Sequence, residues 1–169
     1  MKPIVNKTFL ILSISLLFSC ETYKSPYFNE LLISEKGNLR GAEIGMTLEN
    51  VKAIEDVKFL MDETPEYLNY DYNINMGNSY TVTYDFSETN ELYEIEIAIY
   101  LDAILDADVL FNDFSTYFNN KYKKGKKEDD GYSTWLTNSS LTGHHITVSI
   151  INDSKDYGFI TILVSDLDY

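Results

Sequence analysis

The chain has 169 residues, of which 44% are hydrophobic and 14% aromatic, with 13 Lys and Arg against 27 Asp and Glu and a formal charge of −14. So many aromatics argue against a disordered chain, and so acidic a balance disfavours nucleic acid and favours basic partners. The single cysteine, Cys20, excludes an internal disulfide.

The first residues read as an export address. A basic start carrying Lys2 and Lys7 is followed by an apolar run over 8–18, broken only by Ser13 and Ser15, and then by Leu17-Phe18-Ser19-Cys20. A charged start, a short apolar core and a small residue before the cut describe a signal peptide over 1–19. The run is shorter than the ~20 apolar residues a spanning helix needs. Leu17, Ser19 and Cys20 resemble the bacterial lipoprotein signal. That resemblance implies that Cys20 is acylated and becomes the first mature residue. The plainer alternative is an ordinary thiol just past a secretory cut. Losing Lys2 and Lys7 leaves 11 basic against 27 acidic residues, a balance of −16.

Residues 20–26 read as a lipidated tether, and 27–169 as a single α+β domain. Tyr27, Phe28, Leu31, Leu32 and Ile33 suit a short helix or an apolar strand. A helix is predicted over 48–57: Thr47 can cap it, Leu48, Val51 and Ile54 recur at helical spacing, and Met46 and Val51 occupy the staple positions. Two strands follow, Leu68-Tyr70-Tyr72-Ile74 and Tyr80-Val82-Tyr84-Phe86, each alternating with polar residues. A three-residue loop over 76–78 would pair Ile74 with Tyr80 and Tyr72 with Val82. A loop over 87–90 would pair Phe86 with Glu91 and Tyr84 with Tyr93. The third strand then carries Tyr93, Ile95, Ile97, Ile99 and Leu101 on one face, with Leu92, Glu94, Glu96, Ala98 and Tyr100 on the other.

Asp106 can cap a second helix with the stripe Leu110, Phe111, Phe114, Tyr117, Phe118 and Tyr122. Gly125 suits its C′ position, and Lys121, Lys123 and Lys124 complement the negative end of its dipole. Strands over 132–137, 145–151 and 157–164 close the chain. The order is helix-βββ-helix-βββ. A two-layer antiparallel α+β domain with both helices on one face buries every apolar face at once.

Gly45-Met46-Thr47 followed by Val51 resembles the helix start of small bacterial envelope lipoproteins, the outer-membrane assembly lipoprotein BamE and its relatives. The element order is similar to the β-lactamase-inhibitor protein fold. The resemblance implies a protein-binding module rather than a catalyst.

Catalytic constellations are thin. His144 and His145 are adjacent in a strand and point to opposite faces, so they do not easily share a metal. Lipidation of Cys20 would leave no cysteine nucleophile or Cys/His metal cluster. No phosphate-binding loop or dinucleotide fingerprint occurs. Glu94 and Glu96 share a strand face at a separation of ~7 Å; they read as a wetted sheet face, or as a carboxylate pair for glycan hydrolysis. The lysines from 121 to 127 read as a solvated helix end, or as a contact for lipid phosphates or an acidic partner. Tyr100 and Trp135 read as exposed aromatics able to supply rigid contact area.

The expectation is therefore a lipid-anchored, non-enzymatic protein-binding module of the bacterial envelope, of inhibitor or immunity type, with no catalytic residues, metal or cofactor. Its candidate interaction surface is Glu94, Glu96, Tyr100, Trp135, Lys121, Lys123 and Lys124. The alternative is a small envelope glycan hydrolase or carbohydrate-binding lipoprotein.

Overall fold

The period-two alternation from residue 68 onward is realised as one antiparallel sheet of eight strands. The computed structural model describes residues 24–75 and 77–169. The predicted signal segment and Cys20 lie outside the described residues. The strands are β1 (Leu60–Glu63), β2 (Tyr67–Asn75), β3 (Asn78–Phe86), β4 (Leu92–Leu101), β5 (Lys126–Lys127), β6 (Ser133–Asn138), β7 (His145–Asn152) and β8 (Gly158–Asp166). Their order across the sheet is β1-β2-β3-β4-β8-β7-β6-β5. Each half thus runs outward from the central β4–β8 pair in the reverse of its own chain order.

Three helices accompany the sheet: α1 (Phe28–Leu32), α2 (Leu48–Lys52) and α3 (Ile104–Tyr122). The antiparallel α+β class holds, while the finer helix-βββ layout is corrected. Each half has a fourth, short edge strand, β1 or β5, and the layer on the sheet is not two equal helices. Only α3 is long. It packs on β8, β7 and β6 and touches β4. The first half of the sheet is covered instead by α1, by the short α2 and by the loops and 3-10 turn around it between residues 33 and 59.

The predicted helix over 48–57 stops at Lys52, and a 3-10 turn over Val57–Phe59 leads into β1. Thr47 makes no side-chain cap bond; Asn90, from the β3–β4 turn, takes the Leu48 N–H on its Oδ1 at 3.3 Å. A long-range partner has replaced the local one. Asp106 likewise sits inside the first turn of α3 rather than capping it. The C-terminal left-handed residue is Lys123 (φ 72°), not Gly125. Gly125 is needed for another reason: a Cβ there would lie 2.5 Å from the Trp135 ring.

Both hairpin registers differ from expectation by two residues, which preserves the apolar face. Tyr72 pairs with Tyr80 and Tyr70 with Val82, because the strands continue to Asn75 and Asn78 through an irregularity. Tyr84 pairs with Ile95, and a bulge at Tyr93 lets Phe86 pair with Leu92. The bulge returns Leu92 to the core and frees Tyr93 from the face that carries Ile95, Ile97 and Ile99.

The core is one cluster. Leu68, Tyr70, Tyr80, Val82, Tyr84, Ile95, Ile97, Ile99, Ile160, Ile162, Val164, Val148 and Ile150 project from one face of the sheet, and Ala107, Leu110, Phe114 and Phe118 of α3 meet it. Phe28 of α1 packs on Phe114 at 4.8 Å between ring centroids, so α1 and α3 share that core.

Candidate functional site

The helices and the N-terminal segment cover one face of the sheet, and among the described residues nothing packs across the other. On that open face β3 presents Thr81, Thr83 and Asp85, β4 presents Glu94, Glu96 and Tyr100, and β8 presents Phe159, Thr161, Leu163 and Ser165. The alternating burial of these strands fixes the assignment.

Asp85 lies directly opposite Glu94, and Glu96 is the next open-face residue along β4. Partial burial, and then the charges of Glu94 and Glu96, raise the Asp85 carboxyl above its ordinary range. Like charges facing each other across a strand pair are destabilising. Ser165 Oγ donates to Glu94 Oε2 at 2.9 Å and holds that carboxylate in place.

Aromatic pairs flank the acids. Tyr93, freed by the bulge, stacks on Tyr169 at 4.1 Å and 14°. Tyr100 packs against Phe159 at 4.9 Å and Tyr157 at 6.2 Å. Tyr100 is exposed as expected, and so is Tyr157.

Trp135 does not join this face, which corrects its assignment as an exposed aromatic. It is 3% exposed on the core side of β6, against Phe118 at 5.2 Å. Asn119 Oδ1 accepts both the Trp135 indole N–H and the Gly125 N–H, each at 3.1 Å. Parity in the sequence did not carry that signal, because the opposite set, Tyr132, Thr134 and Leu136, is the more apolar one, and yet Leu136 is exposed.

The three lysines also separate from the acids. They belong to the end of α3, on the covered side of the sheet. Lys121 is half-buried, and its Nζ donates to the carbonyls of Glu35 and Gly37 at 2.8 and 2.7 Å, so it ties α3 to the N-terminal segment. Burial lowers its pKa. Lys123 and Lys124 are exposed.

Sequence reasoning missed a buried ionic cluster. Arg40, the chain's sole arginine, is 1% exposed and grips Glu55 bidentately, Nε to Oε1 at 2.8 Å and Nη2 to Oε2 at 2.9 Å. Its Nη1 donates to the Leu31 carbonyl at 2.7 Å. Tyr72 and Tyr84 hydroxyls donate to the two Glu55 oxygens. The guanidinium lies over the Tyr72 and Tyr80 rings. Burial alone would raise the Glu55 carboxyl, but Arg40 and the two hydroxyls outweigh it and hold it below the usual range. With both charges satisfied and enclosed, the cluster clamps the N-terminal segment to β2 and β3. The available signal was a lone arginine beside a glycine turn, but Glu43 is nearer in sequence than Glu55, its actual partner.

The histidines hold separate partners: His144 Nδ1 meets Asp166 at 2.8 Å and His145 Nδ1 meets Asp168 at 2.9 Å. Among the described residues, no group of three or more His, Cys, Asp or Glu could hold a metal. A cleft of about 880 Å³ opens at the end of the sheet beside Glu49, Glu63, Glu66 and Glu88. A second, of about 520 Å³, lies between α1 and α3 beside Lys24, Asp113 and Lys121. Neither contains Asp85, Glu94 or Glu96. No family model, curated protein or solved structure matches the chain.

Proposed function

We propose that the chain is a lipid-anchored protein of the bacterial envelope that binds a basic protein partner on the open face of its sheet, without catalysis. The observation that carries this reading is the Asp85–Glu94 cross-strand pair with Glu96 beside it, on a face that no helix covers among the described residues. Folding alone gains nothing from stacking three carboxylates. A cationic partner would relieve their repulsion and gain affinity from the same charges. The tyrosine pairs on either side supply rigid contact area. An inhibitor or immunity role against a basic hydrolase fits this arrangement.

The anchor rests on the Leu17-Phe18-Ser19-Cys20 sequence. Among the described residues no helix is long and apolar enough to cross a membrane, and acyl chains on Cys20 would supply attachment at ~0.8 kcal/mol per buried methylene. Metabolic labelling with a fatty-acid analogue tests the anchor. Wild type should carry label that Cys20→Ala loses, and label persisting in Cys20→Ala would overturn it. For the partner, a photo-cross-linker at Thr83 should capture a basic protein in cells, and Glu94→Lys with Glu96→Lys should abolish that capture. Capture unaffected by the reversal would overturn the assignment of the face.

One observation favours a second reading: the raised Asp85 carboxyl facing Glu94 across the strand pair is an arrangement that also serves acid–base chemistry on a glycan. Cleavage of glycan by the purified chain, abolished by Asp85→Asn, would install that reading in place of binding.

A further inference from the structure

The point at which the N-terminal tether meets the body fixes which side of the molecule an anchor can turn toward a membrane. Ser25 is buried, and its N–H donates to Asp113 Oδ2 of α3 at 2.6 Å. Two residues on, Tyr27 and Phe28 enter the core, and Phe28 packs on Phe114 and Tyr117. The chain therefore joins the body on the flank of α3 beside α1, in the helix layer and on the far side of the sheet from its open face. From Cys20 to Ser25 a fully extended chain reaches at most ~18 Å. The sheet with its side chains lies between that entry and the open face, so the anchor emerges on the helix side of the sheet.

Charge points the same way. Lys24 lies in the tether itself, and its Nζ sits over the Phe28 ring at 5.1 Å. Exposed Lys123 and Lys124 end α3 on this side, where Asp106, Asp108 and Asp113 of the same helix offset them, whereas Asp85, Glu94 and Glu96 lie together on the other. An anionic headgroup layer attracts the first group and repels the second.

We infer that α3 is the membrane-facing side of the anchored protein: its outer surface, with Lys24, Lys123 and Lys124, rests against phospholipid headgroups and holds the acidic sheet face outward, toward its partner. The inference rests on acylation of Cys20, and the test separates the two. The chain is isolated from host membranes as its host processes it, Cys20 is examined by mass spectrometry, and the protein is reconstituted in vesicles of equal parts phosphatidylcholine and phosphatidylglycerol. With Cys20 blocked by its thioether, single fluorophores are attached at Asn120→Cys on α3 or Glu96→Cys on the sheet, both exposed positions. Lipids carrying a headgroup nitroxide should quench the Asn120 probe several-fold more than the Glu96 probe. Lys123→Glu with Lys124→Glu should reduce that difference in these vesicles and leave it unchanged in pure phosphatidylcholine. Acylated Cys20 with equal quenching, or with stronger quenching at Glu96, overturns the orientation and leaves the anchor standing. Unmodified Cys20 overturns the anchor and the orientation with it.

Discussion

At the residue scale the molecule keeps two groups of charges under opposite rules. Arg40 and Glu55 are enclosed, paired bidentately and bonded on their remaining positions. Removing one partner of such a pair costs ~3–5 kcal/mol, because the other charge is left uncompensated. Arg40→Met should therefore lower unfolding free energy by about that amount in urea titration. Adding Glu55→Gln should restore part of it, since the amide oxygen can still accept a tyrosine hydroxyl while the stranded charge is gone. A double variant no more stable than Arg40→Met would contradict the assignment. Asp85 obeys the reverse rule. Its folded pKa is raised, so its ionised form costs stability above that pKa, and the cost is relieved as pH falls through it toward the unfolded value near ~3.9. Glu55 is depressed, so its contribution is present above the unfolded carboxylate range and is lost only as pH falls through its lowered value. Asp85→Asn should then stabilise the protein at neutral pH by roughly 0.2–1 kcal/mol. The gain should shrink as the medium is acidified through the raised pKa of Asp85, and thermal melts across the acidic range check it. A gain that grows on acidification would refute the like-charge account.

At the scale of elements, α3 covers the second half of the sheet directly and meets the first half through α1 and the N-terminal segment. Phe114 and Phe118 are fully buried, and the contact runs Phe28–Phe114–Phe118–Trp135 through ring centroids 4.8, 5.7 and 5.2 Å apart. Truncating either phenylalanine to alanine should cost ~3–5 kcal/mol, a large part of a typical total of ~5–15. Fluorescence of the sole tryptophan should report Phe118→Ala directly in the folded state. A loss under about 1 kcal/mol would mean that the helix does not close the core. This stripe was legible in sequence because six residues at helical spacing leave one solution. The meander strands were legible because alternation survives any register shift of two, and both hairpins shifted by two. What escaped depends on distant partners. Asn90 rather than Thr47 caps α2, the Tyr93 bulge exchanges Leu92 for Tyr93 in the core, and Gly125 makes room for Trp135 instead of ending a helix. Edge strands β1 and β5 have mostly exposed side chains and so carry no alternation to read. Arg40 and Glu55 are separated by a helix and a turn, and nothing local couples them. For the candidate face, Glu94, Glu96 and Tyr100 came from strand parity alone. Asp85 joined them only once the cross-strand pairing was known.

At the scale of the whole molecule, acidic charge prevails, and the exposed lysines that follow α3 stand apart from the acids of the open sheet face. Asp85, Glu94 and Glu96 are on the uncovered sheet, while Lys123 and Lys124 end the helix beneath it, and the chain without its first nineteen residues carries −16. Such a field acts on encounter before contact: complementary charge raises association rates and screening removes the gain. Between low and physiological ionic strength the Debye length falls from ~30 to ~8 Å. That is less than the ~24 Å between Tyr93 and Tyr100 along β4 at the usual strand rise, so at physiological salt a partner feels only the acids it directly faces. Association with a basic partner should therefore slow markedly over that range, with dissociation changing less. Glu94→Lys with Glu96→Lys should lower the on-rate further and flatten its salt dependence. Lys123→Glu with Lys124→Glu should leave the on-rate unchanged or faster, because those groups lie across the helix layer from the approach. Stopped-flow mixing with the cross-linked partner, at two salt concentrations and with all three chains, measures each of these. A salt-independent on-rate, or lysine reversals that slow association as much as the glutamate reversals, would move binding away from the sheet.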